Sequence, residues 1–383
     1  MELRRLQLQN FRNYASLDLP MGAGMHVFAG ANAQGKTNLL EAVYFAATGR
    51  SPRARHESEL IDWGADTARV VADYLGAARG PFTVEAALGR REAGQQGHQP
   101  VRVQKKFRVN GVARTPGDLA GLVPVVLFLV DDLEIIRGEP ARRREFLDTD
   151  LATMSRTYAW ALRQYTRVIE QRNKLLKDIR EGSLCPDCLP AWNEQVADYG
   201  GRLLEVRARF VRDLNSVTGE TYQGLTASGQ QMTLEYRREW GDPEETPETR
   251  ADFTFLLAAA LAGAEKEEIA RGSSLAGPHR DDLRILVDGR DLRQFGSQGE
   301  QRTAALALRV AEFELQNRLL SEPPVLLLDD ILSELDRTRR AALLAHLAPM
   351  AQVIVTTTDV DALGLPPHAD VHQYCVCGGG VVG

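Results

Sequence analysis

Cysteine is scarce in this chain. Its four cysteines, at 185, 188, 375 and 377 of 383 residues, are too few for a scaffold built on disulfides. No run of about 20 apolar residues occurs, which argues against a membrane-spanning helix. The opening MELRRLQLQN has no apolar signal-peptide core, so the expected location is cytoplasmic. Excess positive charge is missing as well. With a formal net charge of −6, any nucleic-acid site has to be a local basic patch. What remains is the composition of a globular protein, 44% apolar and 26% charged, long enough for two or three domains. Cys185-Pro-Asp-Cys188 could supply half of a zinc site, with Cys375-Val-Cys377 as the other half if the pairs met in space. C-x-C is a poor match to zinc spacing, and plain reduced thiols are the default.

The strongest local pattern is Gly30-Ala31-Asn32-Ala33-Gln34-Gly35-Lys36-Thr37, which fits the phosphate-binding loop G-x-x-x-x-G-K-[S/T]. Met25 to Ala29 before it reads as a strand. Asn38 to Thr48 after it reads as a helix, with Gly49 as its C-cap. Strand, glycine-rich turn and helix are the context the motif demands. Backbone N–H groups would turn inward around phosphate oxygens at a helix N-terminus. Lys36 would reach the β- and γ-phosphates, and Thr37 would ligate Mg²⁺.

Taken in order, residues 2–9 and 15–19 read as strands flanking Asn10-Phe-Arg-Asn-Tyr14, and Arg50 to Arg55 is a basic loop that could touch DNA. Residues 67–88 predict a strand pair, followed by a low-complexity loop at 93–100. Val101 to Val109 leads into Asn110-Gly111, a hairpin signal. From Arg90 to Arg114 seven basic residues face one acid, Glu92, making this the best single basic patch. Without aromatic stacking groups it does not identify a nucleic acid. Val123 to Val130 predicts a buried strand, and Gly138 to Asp148 a helix entry containing Arg142, Arg143 and Arg144.

Further on, Met154, Tyr158, Leu162, Tyr165, Ile169, Arg172, Leu176 and Ile179 recur near a 3.5-residue period. So do the residues from Trp192 to Val217. With a turn-rich loop at 182–190 between them, they predict an antiparallel helical hairpin with arms of about 40 Å. A strand-like patch at 231–240, a helix at 253–271 and a strand at 284–287 follow.

Pro323 to Asp330 is an apolar strand ending in two carboxylates, a Walker B pattern. Asp329 would hold Mg²⁺, and Asp330 would polarise the attacking water. Lys36 and Asp329 lie 293 residues apart, so a domain is inserted between the halves of the nucleotide fold. Ser297-Gln-Gly299-Glu-Gln301, at the start of a helix expected over 300–320, is a capping box at the least. It also fits an ABC-type signature, whose helix N-terminus meets the γ-phosphate held by another subunit. Ser333-Glu-Leu-Asp336 fits the D-loop.

In this order the motifs resemble the RecF family of bacterial recombination mediators, within the ABC ATPases of the chromosome-maintenance type. The resemblance runs almost end to end. It includes Leu8-Gln-Asn-Phe-Arg-Asn-Tyr14, the phosphate loop, Asp131-Asp-Leu133 with Pro140-x-Arg-Arg-Arg144, Gly277-Pro-His-Arg-Asp-Asp282, the signature and Leu328 to Asp336. It implies an α/β, ABC-type P-loop ATPase head, with mixed sheets around a central helix and an inserted helical domain carrying a short antiparallel coiled-coil hairpin. The expected division is 1–130 with 276–383 for the ATPase and 131–275 for the insertion.

The resemblance further implies ATP and Mg²⁺ as cofactors and a homodimer formed on ATP. It implies slow, DNA-stimulated hydrolysis and binding to single- and double-stranded DNA. Cooperation with RecR and RecO in loading RecA would connect it to repair, replication restart and the SOS response. By carry-over, Gly30 to Asn38 hold the nucleotide, and Arg12 and Asn13 flank it. Ser297 and Gly299 reach the partner's γ-phosphate, Asp336 is the D-loop acid, and Lys36, Asp329 and Asp330 serve hydrolysis. Three departures stand out. Asp330 is one methylene shorter than the usual Glu, Thr356-Thr-Thr-Asp359 replaces the switch His, and no Q-loop Gln is found near Asp131 and Asp132. A transporter ATPase subunit and an ATP-gated DNA tether with negligible turnover are the alternatives.

Overall fold

The structure, a computed structural model, describes residues 1–91, 102–226, 229–242, 244–360, 363 and 370–383. The low-complexity segment 93–100 lies outside them. Packing divides the chain into two compact units, Met1–Asp132 with Glu312–Gly383, and Leu133–Ala311.

In chain order the first unit begins with strands β1 (Glu2–Phe11), β2 (Tyr14–Pro20) and β3 (Met25–Ala29), then helix α1 (Lys36–Thr48). Strands β4 (Thr67–Gly76), β5 (Gly80–Arg91), β6 (Arg102–Val109), β7 (Val112–Arg114) and β8 (Val125–Leu129) follow. The second unit holds α2 (Leu133–Arg137), α3 (Pro140–Met154), α4 (Arg156–Arg180) and α5 (Leu189–Thr226). It continues through β9 (Met232–Arg237), α6 (Arg250–Arg271), β10 (Asp282–Val287), β11 (Arg290–Asp291) and α7 (Leu292–Phe295) into the first part of α8 (Gln298–Leu319), which from Glu312 belongs to the first unit. The chain closes with β12 (Val325–Asp329), α9 (Arg337–Leu347), β13 (Val353–Thr357), β14 (Val371–Cys377) and β15 (Gly380–Val382).

Two six-stranded sheets build the first unit. One is antiparallel, in the order β2-β1-β4-β5-β6-β7; the other runs β15-β14-β3-β13-β12-β8 and is parallel from β14 to β8. Helix α1 is apolar nearly all round, which suits a helix buried on both sides. Its Leu39, Leu40, Val43 and Phe45 share one core with Leu6, Val70 and Val84 of the first sheet and Val325, Leu327 and Ile354 of the second. The first sheet alternates as a half-buried strand set should: Ala68, Val70, Ala72 and Tyr74 of β4 face that core. The expected Asn110-Gly111 turn joins β6 to β7, with φ of 49° and 78° at its two residues.

In the second unit, α4 and α5 form the predicted hairpin, with Tyr165, Ile169, Leu176, Leu203, Phe210 and Leu214 buried along its seam. The buried stripe on α5 is wider than a coiled-coil seam, because α6 packs on it as well. Gly200 and Gly201 permit that approach: a Cβ at Gly200 would lie 2.4 Å from Leu257 Cδ2, and one at Gly201 2.2 Å from Thr254 Oγ1. The fully buried Arg172 of α4 ties the helices together. It donates to Glu268 of α6 at 2.5 Å, Asn193 of α5 at 2.8 Å and Ser274 at 2.7 Å. Residues 276–311, expected with the ATPase domain, pack in this unit, where β10 pairs antiparallel with β9.

Among the described residues, no helix is long and apolar enough to cross a membrane. They also contain no group of three or more His, Cys, Asp or Glu able to hold a metal ion.

Candidate nucleotide site

The glycine-rich loop joins the carboxyl end of β3 to the N-terminus of α1. β3 lies inside the parallel sheet, where ligands of α/β folds bind beyond the strand ends. The loop's turn depends on residues in the left-handed region: Ala33 at φ 65° and Gly35 at φ 114°. Gly30 and Gly35 are also required by space. A Cβ at Gly30 would come within 2.4 Å of the Val376 carbonyl, and one at Gly35 within 2.6 Å of Asn13 Nδ2.

Lys36 is buried. Its ammonium donates to the carbonyls of Gly30 at 2.6 Å and Ala31 at 2.9 Å. A cation held by loop carbonyls at the start of a helix is the electrostatic setting for an anionic ligand.

Opposite the loop, Asp329 ends β12. Its Oδ1 accepts from Thr37 Oγ1 at 2.9 Å and from Thr356 Oγ1 at 2.7 Å. The parallel register sets Asp329 beside Thr356 on β13. Burial holds the Asp329 carboxyl above its ordinary pKa, against the pull of the two threonine hydroxyls and the charge of Arg53. The next residue, Asp330, sits in the left-handed region at φ 52° and donates its N–H to Thr356 Oγ1 at 3.0 Å. Its Oδ1 is buried with no hydrogen-bond partner among the described residues. A strained backbone and an unsatisfied buried carboxylate oxygen are both costly, and such features concentrate where chemistry is done. Threonine hydroxyl, aspartate and free carboxylate oxygen form a hard-oxygen donor set that fits Mg²⁺.

Asn13 and Arg12, from the turn between β1 and β2, part ways. Asn13 Nδ2 donates to the Gln34 carbonyl at 3.0 Å, and its Oδ1 accepts from Asn38 Nδ2 at 2.9 Å, so it braces the loop. Tyr14 adds a bond to the Gly35 carbonyl at 3.0 Å. Gly378 and Gly379, in the turn between β14 and β15, donate to Gln34 Oε1 and its carbonyl at 2.7 and 3.1 Å. Arg12 is directed to Glu41 of α1, which it grips with Nε and Nη2, both at 2.8 Å. The same carboxylate accepts from Ser51 Oγ at 2.5 Å, tying the basic loop to α1.

In the second unit, Ser297 and Gly299 are exposed at the start of α8. Ser297 Oγ and N–H meet Glu300 Oε2 at 2.7 and 2.9 Å, completing the capping box. A Cβ at Gly299 would meet nothing within 4 Å. Asp336, in the first unit, caps α9 through the Arg339 N–H at 3.0 Å. Asp132 is occupied locally, accepting from the Leu129 N–H at 2.7 Å.

The family model described as RecF/RecN/SMC N terminal domain matches residues 2–364. The DNA replication and repair protein RecF of Chloroflexus aurantiacus is 38% identical over 388 residues, 98% of each chain. The RecF protein of Herpetosiphon aurantiacus is 40% identical over 372 residues, 94% of each chain. The chain belongs to the RecF family. A solved structure of the recombination mediator protein RecF-ATP in the RecFOR pathway superposes with a TM-score of 0.87 at 30% identity, covering 99% of this chain and 96% of that one. The fold is that of an ABC-type ATPase head.

Two contributors to the site, Glu41 and the Gly378-Gly379 turn, escaped the motif reading. Thr356 was noted where a switch His usually stands, but not its bond to Asp329 from the neighbouring strand. Glu41, 1% exposed, was the one acidic residue in an otherwise apolar helix segment. The Gly378-Gly379 turn carried no local signal for contact with the loop.

Proposed function

We propose that this chain is an ATP-dependent, DNA-binding recombination mediator whose slow ATP hydrolysis acts as a switch. The observation that carries the reading is the meeting of Thr37 and Thr356 on Asp329 Oδ1, beside the unpartnered carboxylate oxygen of Asp330. In this reading Lys36 and the loop amides of Gly30 to Thr37 bind the phosphates. Thr37 and Asp329 hold Mg²⁺, which when bound offsets charge on the phosphate oxygens. Asp330 orients and polarises the attacking water, and Asn13 and Asn38 keep the loop in shape. Arg12 contributes through Glu41 to the wall of the site.

Ser297 and Gly299 of a second copy close over the γ-phosphate, with Asp336 at the same interface, so two sites share one dimer. Segment 133–311 acts as an inserted domain. The closed pair holds single- or double-stranded DNA, and hydrolysis releases it. RecR and RecO are the expected partners in loading RecA, in repair, replication restart and SOS induction; family membership supports this.

The test is molar mass by light scattering on Asp330→Asn with ATP, with and without DNA. The expected result is a monomer without nucleotide and a dimer with ATP, the dimer alone retaining DNA. A chain that binds ATP tightly yet stays monomeric, with or without DNA, overturns the shared-site reading.

A further inference from the structure

The Cys185-Pro-Asp-Cys188 turn takes no part in the nucleotide chemistry, yet its placement is specific. It forms the tip of the α4–α5 hairpin, between Arg180 at the end of one helix and Leu189 at the start of the other. Every residue from Glu181 to Cys188 is exposed, and both thiols are free. The turn is nonetheless firmly seated. Pro186 opens a short 3-10 turn, and Leu189, immediately after Cys188, is fully buried against Leu175, Leu176 and Ile179. Two thiols in C-x-x-C spacing are therefore displayed to solvent beside a buried anchor, Leu189.

C-x-x-C is the standard two-ligand half of a tetrahedral zinc–thiolate centre, with Zn–S bonds of about 2.3 Å. The described residues do not supply the other half. Among the described residues no third His, Cys, Asp or Glu completes a metal-binding group, and Cys375 and Cys377 belong to the other unit, on β14. A half-site at an exposed apex is completed most simply by a two-fold related copy of itself, because an isologous contact brings each donor pair to the other.

We propose that Cys185 and Cys188 of two chains together bind one Zn²⁺, joining the copies at their hairpin tips. Four Zn–S bonds form and four S–H bonds break, two in each chain, and the four protons pass to solvent. Cys185 Sγ gives up its 3.1 Å hydrogen bond to Asp187 Oδ2 in the process. The resulting contact is separate from the ATP-dependent one and needs no nucleotide.

The test uses the full-length, reduced chain without nucleotide, dialysed against Zn²⁺, with bound metal measured by mass spectrometry and molar mass by light scattering. Expected are one zinc per two chains and a dimer that chelator returns to monomer. The Cys185→Ser/Cys188→Ser variant should lose both, the Cys375→Ser/Cys377→Ser variant neither, and Ser297→Arg should retain both. Co²⁺ in place of Zn²⁺ should give the intense visible bands of a tetrahedral tetrathiolate. No zinc uptake, one zinc on each monomer, or a zinc dimer that survives loss of Cys185 and Cys188 overturns the proposal. Both thiols are exposed, so their replacement should leave ATP binding unchanged, and a failed zinc dimer would not bear on the nucleotide reading.

Discussion

Thr37 and Asp329, 292 residues apart in sequence, are joined by a 2.9 Å hydrogen bond. This bond leaves the carboxylate under-compensated, since burial still holds the Asp329 carboxyl above its ordinary pKa. A carboxyl raised in the fold binds its proton more tightly there than when unfolded. Its contribution to stability is therefore fully present below the ordinary carboxylate value and is lost as pH rises through the raised one. At neutral pH, Asp329→Asn should leave the melting temperature of the nucleotide-free chain unchanged or slightly higher. ATP hydrolysis should fall by about 100-fold or more, in line with loss of one preorganised electrostatic contact. Calorimetry and phosphate release measure the two effects. A large drop in melting temperature would mean that the carboxylate is structural.

Asn13 fills the space that a side chain at Gly35 would need. Asn13→Ala removes two hydrogen bonds that brace the loop, at about 1 kcal/mol each, and should weaken ATP binding roughly tenfold. Gly35→Ala should do more harm, because its Cβ would press on Asn13 and because φ is 114° there. The double variant should recover part of that loss: the clash disappears but the backbone strain remains. Titration with a fluorescent nucleotide across the cycle checks this, and strict additivity would contradict a direct contact.

Legibility in the sequence followed the range of the interactions. The phosphate loop was readable because strand, turn and helix are neighbours in the chain. The seam of α4 and α5 was readable because Tyr165, Ile169 and Leu176 on one helix, and Leu203, Phe210 and Leu214 on the other, each recur with the period of one helix face. The bond from Thr356 to Asp329 depends on strand register, which no local pattern encodes. Gly200-Gly201 could have announced a close helix contact, but not that α6 supplies it. The strands β14 and β15 passed unnoticed because they are largely exposed and lack an apolar alternation. Arg12 could be seen as important from its motif, while its attachment to Glu41 could not.

Ser297 is exposed, and its side chain does no more in one chain than cap α8. Ser297→Arg should therefore cost about 1 kcal/mol through the lost cap and spare ATP binding. The ATP-dependent dimer should disappear, since a bulky cation would stand where a second copy's nucleotide must come. Light scattering and nucleotide titration on the same sample separate the two effects. A dimer of unchanged strength would leave Ser297 as a helix cap only.

The Gly277-to-Asp282 segment contains two groups, half-buried His279 and buried Asp281, that respond to pH in opposite directions. Burial lowers the His279 pKa to about 4, with Tyr165 OH 2.6 Å from its Nδ1. Burial raises that of Asp281 to about 6, despite hydrogen bonds from Tyr236 at 2.5 Å and Trp240 at 2.7 Å. For His279 the neutral form is favoured in the fold, so its stability is present above its ordinary 6.5 and is lost as pH falls towards 4. For Asp281 the neutral form is again favoured, so its stability is present below 3.8 and is lost as pH rises towards 6. Each is worth about 3 kcal/mol at roughly 1.4 kcal/mol per pKa unit, and over the shared window the two slopes nearly cancel. Relative to the parent chain, His279→Gln should become less stable as pH rises from 4 to 6. Asp281→Asn should become more stable over the same range, on top of a fixed loss of about 1–3 kcal/mol from a weakened acceptor. Urea midpoints at several pH values measure these differences. If both variants run parallel to the parent, neither group titrates away from its ordinary range.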